Sequence, residues 1–208
     1  MRRFETGILP FVIAAAAFLV ISCDQPGKMA PQPVVLGKHK LVEPFVLTSH
    51  RGEPFASRQL QGKIWVVNFI FTSCGRECPF LSRRFLTLQE RFANDERIEL
   101  VSISVDPQTD TVERLAQYAA GFDAGDRWHF LTGDPGTIAR IIRHDFLIDT
   151  GKADGTLPQR QNSELPHTER FAVVDRDGIV RFYTNGMAGD AADRTEQAIE
   201  LILKEPSV

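Results

Sequence analysis

Cys74 and Cys78 stand four positions apart in the run Phe71-Thr72-Ser73-Cys74-Gly75-Arg76-Glu77-Cys78-Pro79. Two thiols at that spacing offer two chemistries. They can cycle between dithiol and disulfide, or as thiolates they can hold a soft ion such as Cu(I). A static structural disulfide is the plain alternative. Two sulfurs do not complete a site for every state of a metal, so a third ligand is expected. Of the five histidines, His167 is the best candidate. It follows a polar, Gly- and Pro-punctuated stretch, Thr150 to Pro166, and precedes an apolar strand candidate at Phe171. His39, His50, His129 and His144 read as surface or satisfied core residues.

The elements around these residues must bring an early pair and a late imidazole together. Ile64 to Phe71 is an apolar run rich in β-branched and aromatic residues, the pattern of a strand buried on both faces. Pro79 to Ala93 has helical spacing, with Phe80, Leu81, Phe85, Leu88 and Phe92 near one stripe. The cysteine pair therefore lies where a strand gives way to a helix. Ligands in open α/β sheets gather at that edge, and a helix N-terminus favours the thiolate. Ile98 to Val105 reads as the next strand. Asp110 with Glu113 reads as a helix start, ending at Gly121. Asp106 and Asp110 are assigned to turn and helix capping. Phe130-Leu131 is a short strand and Asp134-Pro135 opens a helix to about Asp145. Glu43 to Thr48 is an early strand, and Pro54-Phe55 returns the chain after a turn. Phe171 to Val174 and Ile179 to Tyr183 flank Asp175-Arg176-Asp177-Gly178 as a hairpin. Ala191 to Lys204 is a closing amphipathic helix. Strands alternating with helices and ending in a hairpin imply an α/β sheet covered on both faces.

The chain has 208 residues, 43% of them hydrophobic, enough for one domain with a sizeable core plus appendages. A net charge of −3 with mixed signs gives no case for nucleic acid. Three cysteines are too few for a disulfide scaffold. Met1-Arg2-Arg3 and the apolar stretch Ile8 to Ser22 fit a secretory signal, and the stretch is shorter than the ~20 residues a spanning helix needs. Its end, Leu19-Val20-Ile21-Ser22-Cys23, resembles a bacterial lipobox. That resemblance implies a signal peptide over 1–22 and a lipid on Cys23. An uncleaved anchor and a plain cleaved signal are the rivals. All three put the domain outside the cytoplasm, where disulfides persist. Residues 23–40 read as a flexible tether and 41–208 as the domain.

Four stretches together resemble the Sco/SenC family of copper-binding proteins involved in cytochrome c oxidase assembly. They are Ile64 to Thr72; Cys74 with Cys78-Pro79; Ser102-Ile103-Ser104-Val105-Asp106-Pro107 with Asp110-Thr111; and His167-Thr168 ahead of Asp175 to Gly178. The resemblance spans about residues 41 to 203. It implies a thioredoxin-like fold and one copper ion, Cu(I) or Cu(II), bound by Cys74, Cys78 and His167. It also implies a membrane-held metallochaperone, on the extracytoplasmic side, serving the oxidase copper-site subunit or another copper-receiving protein. A reversible Cys74–Cys78 disulfide would suit a thiol–disulfide oxidoreductase or a redox or copper sensor instead. The chain departs from the family at Gly75, where proline is frequent, and at Pro166, where an acidic residue is frequent.

Overall fold

The computed structural model describes residues 34–149 and 168–206. Among them seven strands form one mixed sheet in the order β2-β1-β5-β4-β3-β6-β7. The strands are β1 (Val46–Ser49), β2 (Pro54–Ala56), β3 (Ile64–Ile70), β4 (Ile98–Ser104), β5 (Trp128–Thr132), β6 (Arg170–Val174) and β7 (Val180–Asn185). The helices are α1 (Glu77–Arg91), α2 (Val112–Ala120), α3 (Pro135–Arg140), which runs on into a π-helical turn over Ile141–Asp145, and α4 (Ala191–Lys204).

Every residue of β3 is buried, as a central strand covered on both faces requires. Its side chains alternate. Ile64, Val66 and Ile70 face Leu81, Phe85 and Leu88 of α1, Leu115 of α2 and Ile199 of α4. Trp65, Val67 and Phe69 face Phe45, Leu60 and the α3 segment through Ile138, Ile141 and Phe146. Helices thus lie on both faces, as the sequence pattern requires. β3 and β4 pair in parallel from Ile64 with Ile98 to Ile70 with Ser104. The two strands therefore end level, and the loops leaving them meet. The β6–β7 hairpin closes the fold. Its turn is held by Asp175 Oδ1, which accepts from the N–H groups of Asp177 (3.0 Å) and Ile179 (2.9 Å). Gly178 takes φ +79° there, a conformation natural only to glycine.

Several elements differ from the sequence reading in detail. α1 starts at Glu77 rather than Pro79, which puts Cys78 inside its first turn. Phe80 is not core. It is 37% exposed, and the Arg84 guanidinium lies 5.0 Å over its ring. The buried stripe runs Cys78-Leu81-Phe85-Leu88, and Phe80, one residue before Leu81, is rotated about 100° off it. Asp110 does not cap α2. Thr111 does, its Oγ1 accepting from the Arg114 N–H at 3.3 Å. The stretch read as tether reaches the sheet before residue 41. The N–H groups of Gly37 and His39 donate to the carbonyls of Arg181 and Val180.

Of the four described histidines, His144 is exposed, and the other three have structural partners or packing. His50 Nδ1 accepts from the Phe130 N–H at 3.2 Å. His129 Nε2 lies 3.0 Å from Glu99. His39 packs on Tyr183 with ring centres 5.3 Å apart.

Candidate functional site

β3 ends at Ile70, and the chain turns through Phe71 to Cys74 before entering α1. The Cys74 N–H donates to the Phe71 carbonyl at 3.1 Å and closes that turn. The Cys78 N–H, one of the first-turn amides with no partner inside a helix, donates to Cys74 Sγ at 3.3 Å. The two cysteines are thus brought together, and both are free thiols. They are not equivalent. Cys74 is half-buried, and its thiol lies 3.6 Å from Glu77 Oε2. Cys78 is 2% exposed. Burial pushes the Cys78 thiol well above its ordinary range; Cys74 and Glu77 push the same way, and the Phe71 backbone opposes them. Cys78 therefore keeps its proton near neutral pH, and a metal that binds it must displace that proton.

Residues not singled out from the sequence as site residues complete the surroundings. Asp110 is fully buried. It accepts from the Thr72 N–H (3.2 Å to Oδ1, 3.1 Å to Oδ2), from Thr72 Oγ1 (2.5 Å) and from Ser104 Oγ (2.6 Å). Behind α1, Ser82 Oγ and the Tyr118 hydroxyl lie 3.0 Å apart. Burial raises the Tyr118 phenol above its usual range. The Ser82 hydrogen bond opposes this. Asp106 forms the turn expected of it, its carbonyl accepting from the N–H groups of Thr109 and Asp110. The segment Ser102 to Thr111, read as a family motif, is the signal that could have pointed to this contact.

His167 and Cys23 lie outside the described residues. Thr168 is buried, and its Oγ1 accepts from the Arg170 N–H at 3.1 Å. β6 then runs antiparallel to β3, Ala172 beside Val67 and Val174 beside Trp65, so β6 starts toward the end of β3 that leads into the cysteines. Among the described residues no three His, Cys, Asp or Glu side chains group as a metal cage. No described helix is long and apolar enough to cross a membrane.

Comparison with known proteins gives one answer. The SCO1/SenC profile matches residues 35–203. A SCO1/SenC family lipoprotein from Bacillus anthracis str. Ames is similar in structure, with TM-score 0.70 and 25% identity over 79% of this chain and 96% of that one. BsSco, a member of the Sco family of cytochrome c oxidase assembly proteins with an identified disulfide switch, is similar at TM-score 0.63 and 26% identity. That match covers 81% of this chain and 99% of BsSco. Bradyrhizobium japonicum ScoI, solved with copper bound, is similar at TM-score 0.58 and 26% identity, covering 77% and 97% of the two chains. The fold is thioredoxin-like, as the resemblance implied. The cysteine motif sits in the kind of fold it led us to expect, and the chain belongs to the SCO1/SenC family.

Proposed function

We propose that this chain binds one copper ion through Cys74 and Cys78, with His167 as third ligand, and serves the assembly of cytochrome c oxidase. The observation that carries the reading is the pair of free thiols, Cys74 on the turn after β3 and Cys78 in the first turn of α1, joined by the Cys78 N–H to Cys74 Sγ contact. Thiolates suit Cu(I), and ScoI, a relative of similar fold, has been solved with copper bound. The recipient would be the copper-site subunit of the oxidase or another copper-receiving protein. A lipid on Cys23 would hold the domain at the membrane on the extracytoplasmic side. The test is competition with a chromogenic Cu(I) chelator. Cys74→Ser and Cys78→Ser each lose tight binding; full retention in both variants rejects the assignment.

A second reading rests on the inequality of the two sulfurs. The Cys74 thiolate would attack a partner disulfide, releasing one partner thiolate and leaving a mixed disulfide. Cys78 would then attack the Cys74 sulfur. The partner leaves as a dithiol and Cys74–Cys78 becomes the disulfide, two electrons having moved to the partner. A thiol reductant must restore the pair. The disulfide switch of BsSco supports this use of the same atoms. His167→Ala separates the readings. Loss of copper affinity with reductase activity kept favours the metal role, and the reverse pattern favours the redox role.

A further inference from the structure

We infer that Asp110 is a positioning residue for the site: it clamps the loop that carries Cys74 onto the end of the sheet. This rests on the thiol site proposed above. Asp110 has no exposure to solvent. In all its side-chain contacts it is the acceptor, from Thr72 N–H, Thr72 Oγ1 and Ser104 Oγ. Burying a carboxyl group without such partners costs several kcal/mol, so the donors and the acid hold each other in place. The two ends of the grip matter. Ser104 is the last residue of β4 and pairs with Ile70, the last residue of β3. Thr72 lies inside the turn that the Cys74 N–H closes on the Phe71 carbonyl. Fixing Thr72 therefore fixes the turn from which Cys74 Sγ meets the Cys78 N–H. Capping does not explain Asp110, because Thr111 does that work for α2. Its own N–H, bonded to the Asp106 carbonyl at 2.8 Å, anchors the clamp from behind.

The experiment compares Asp110→Ala, Asp110→Asn and Thr72→Val in the full chain. Cu(I) affinity is read by chelator competition, and Cys78 protection by iodoacetamide labelling and mass spectrometry. Asp110→Ala is expected to weaken Cu(I) binding at least tenfold and Thr72→Val at least threefold. Asp110→Asn recovers most of the loss, because its amide oxygen still accepts from Thr72. Cys78 stays protected throughout. A reading that does not need copper runs in parallel on the metal-free dithiol with 5,5′-dithiobis(2-nitrobenzoate). Cys74 attacks first and releases one thionitrobenzoate. Cys78 then attacks the mixed disulfide and releases the second. Holding the two sulfurs together speeds that second, intramolecular step. It should slow at least threefold in Asp110→Ala and Thr72→Val. If wild type holds no copper, the metal reading fails while this step still judges the clamp. Wild-type values for both variants in both assays overturn the inference, as does a loss that tracks deprotection of Cys78 in step. Should Asp110→Ala fail to fold, Thr72→Val decides alone.

Discussion

Asp110 and Arg181 are both buried, at opposite ends of the strands, and they are satisfied differently. Arg181 donates from Nη1 to Asp175 (3.0 Å), from Nη1 and Nη2 to the two oxygens of Glu205 (2.7 and 2.8 Å), and from Nε to the Gly37 carbonyl. It joins β7, the hairpin turn, the incoming chain and the residue after α4 through charged, partly bidentate bonds of the strong kind. Glu205 is held below the usual carboxylate range by that guanidinium, and Arg181 is raised mainly by Glu205. Asp110 has only neutral donors. The contrast follows from what each end does. A fixed guanidinium beside Cys74 and Cys78 would favour thiolates without any ligand and repel a cationic metal. Hydroxyl and amide donors hold the loop without imposing a charge. On the proposed function, one end serves stability and the other holds the pair of sulfurs.

The sharpest way to break this comparison is Arg181→Met. It leaves Asp175, 5% exposed, without its cation, and losing one partner of a buried pair costs about 3 kcal/mol. The expected result is a fall in Tm of about 6–12 °C with Cu(I) affinity of the folded protein unchanged within twofold. A parallel loss of affinity would mean that the two ends are not separable. At the other end, Ser104→Ala removes one neutral donor from Asp110 and the acceptor of the Asp106 N–H and should cost about 1–2 kcal/mol, read by urea unfolding. If it costs as much as Arg181→Met, the division of labour does not hold. Within the site, burial of Cys78 and its raised thiol predict that iodoacetamide modifies Cys74 first. The reduced, metal-free protein near neutral pH should show at least a tenfold rate ratio by mass spectrometry. Equal rates would contradict the described inequality of the sulfurs.

How much of this was readable beforehand differs by region. β3 and the cysteine turn were legible because the apolar run Ile64 to Phe71, interrupted only by Asn68, stops three residues before Cys74 and allows little else. The sheet-covering faces followed from periods of two and 3.6. Asp110 was misassigned because Asp and Thr are both good caps and stand side by side. Only the packing of Thr72 and Ser104 around the acid decides which one caps. Phe80 was misassigned because a stripe read from spacing alone tolerates an error of one residue, and one residue is 100° of helix. The pairing of residues 37–42 with the start of β7 and the turn preceding β7 was hidden by the Pro- and Gly-rich composition before it. Backbone bonds to a sheet edge need no particular side chain.

The smallest expected effect belongs to the stability end, at the loop before β4. Asp95 accepts from Arg97 Nη2 at 2.7 Å, and its side chain is 23% exposed. The Arg97 guanidinium lowers its pKa to about 2. A carboxyl group whose folded pKa is depressed adds stability that is fully present above its unfolded pKa, about 4, and is lost as pH falls toward about 2. Solvent screening at this partly open site keeps the gain to about 1 kcal/mol or less. Asp95→Asn should therefore cost about that much at pH 7 and less at pH 3, measured by urea unfolding at both. The Cys74 to Cys78 labelling ratio should not move. A cost that grows on acidification would reverse the assigned sign, and a changed labelling ratio would show that a purely structural ion pair reaches the sulfurs.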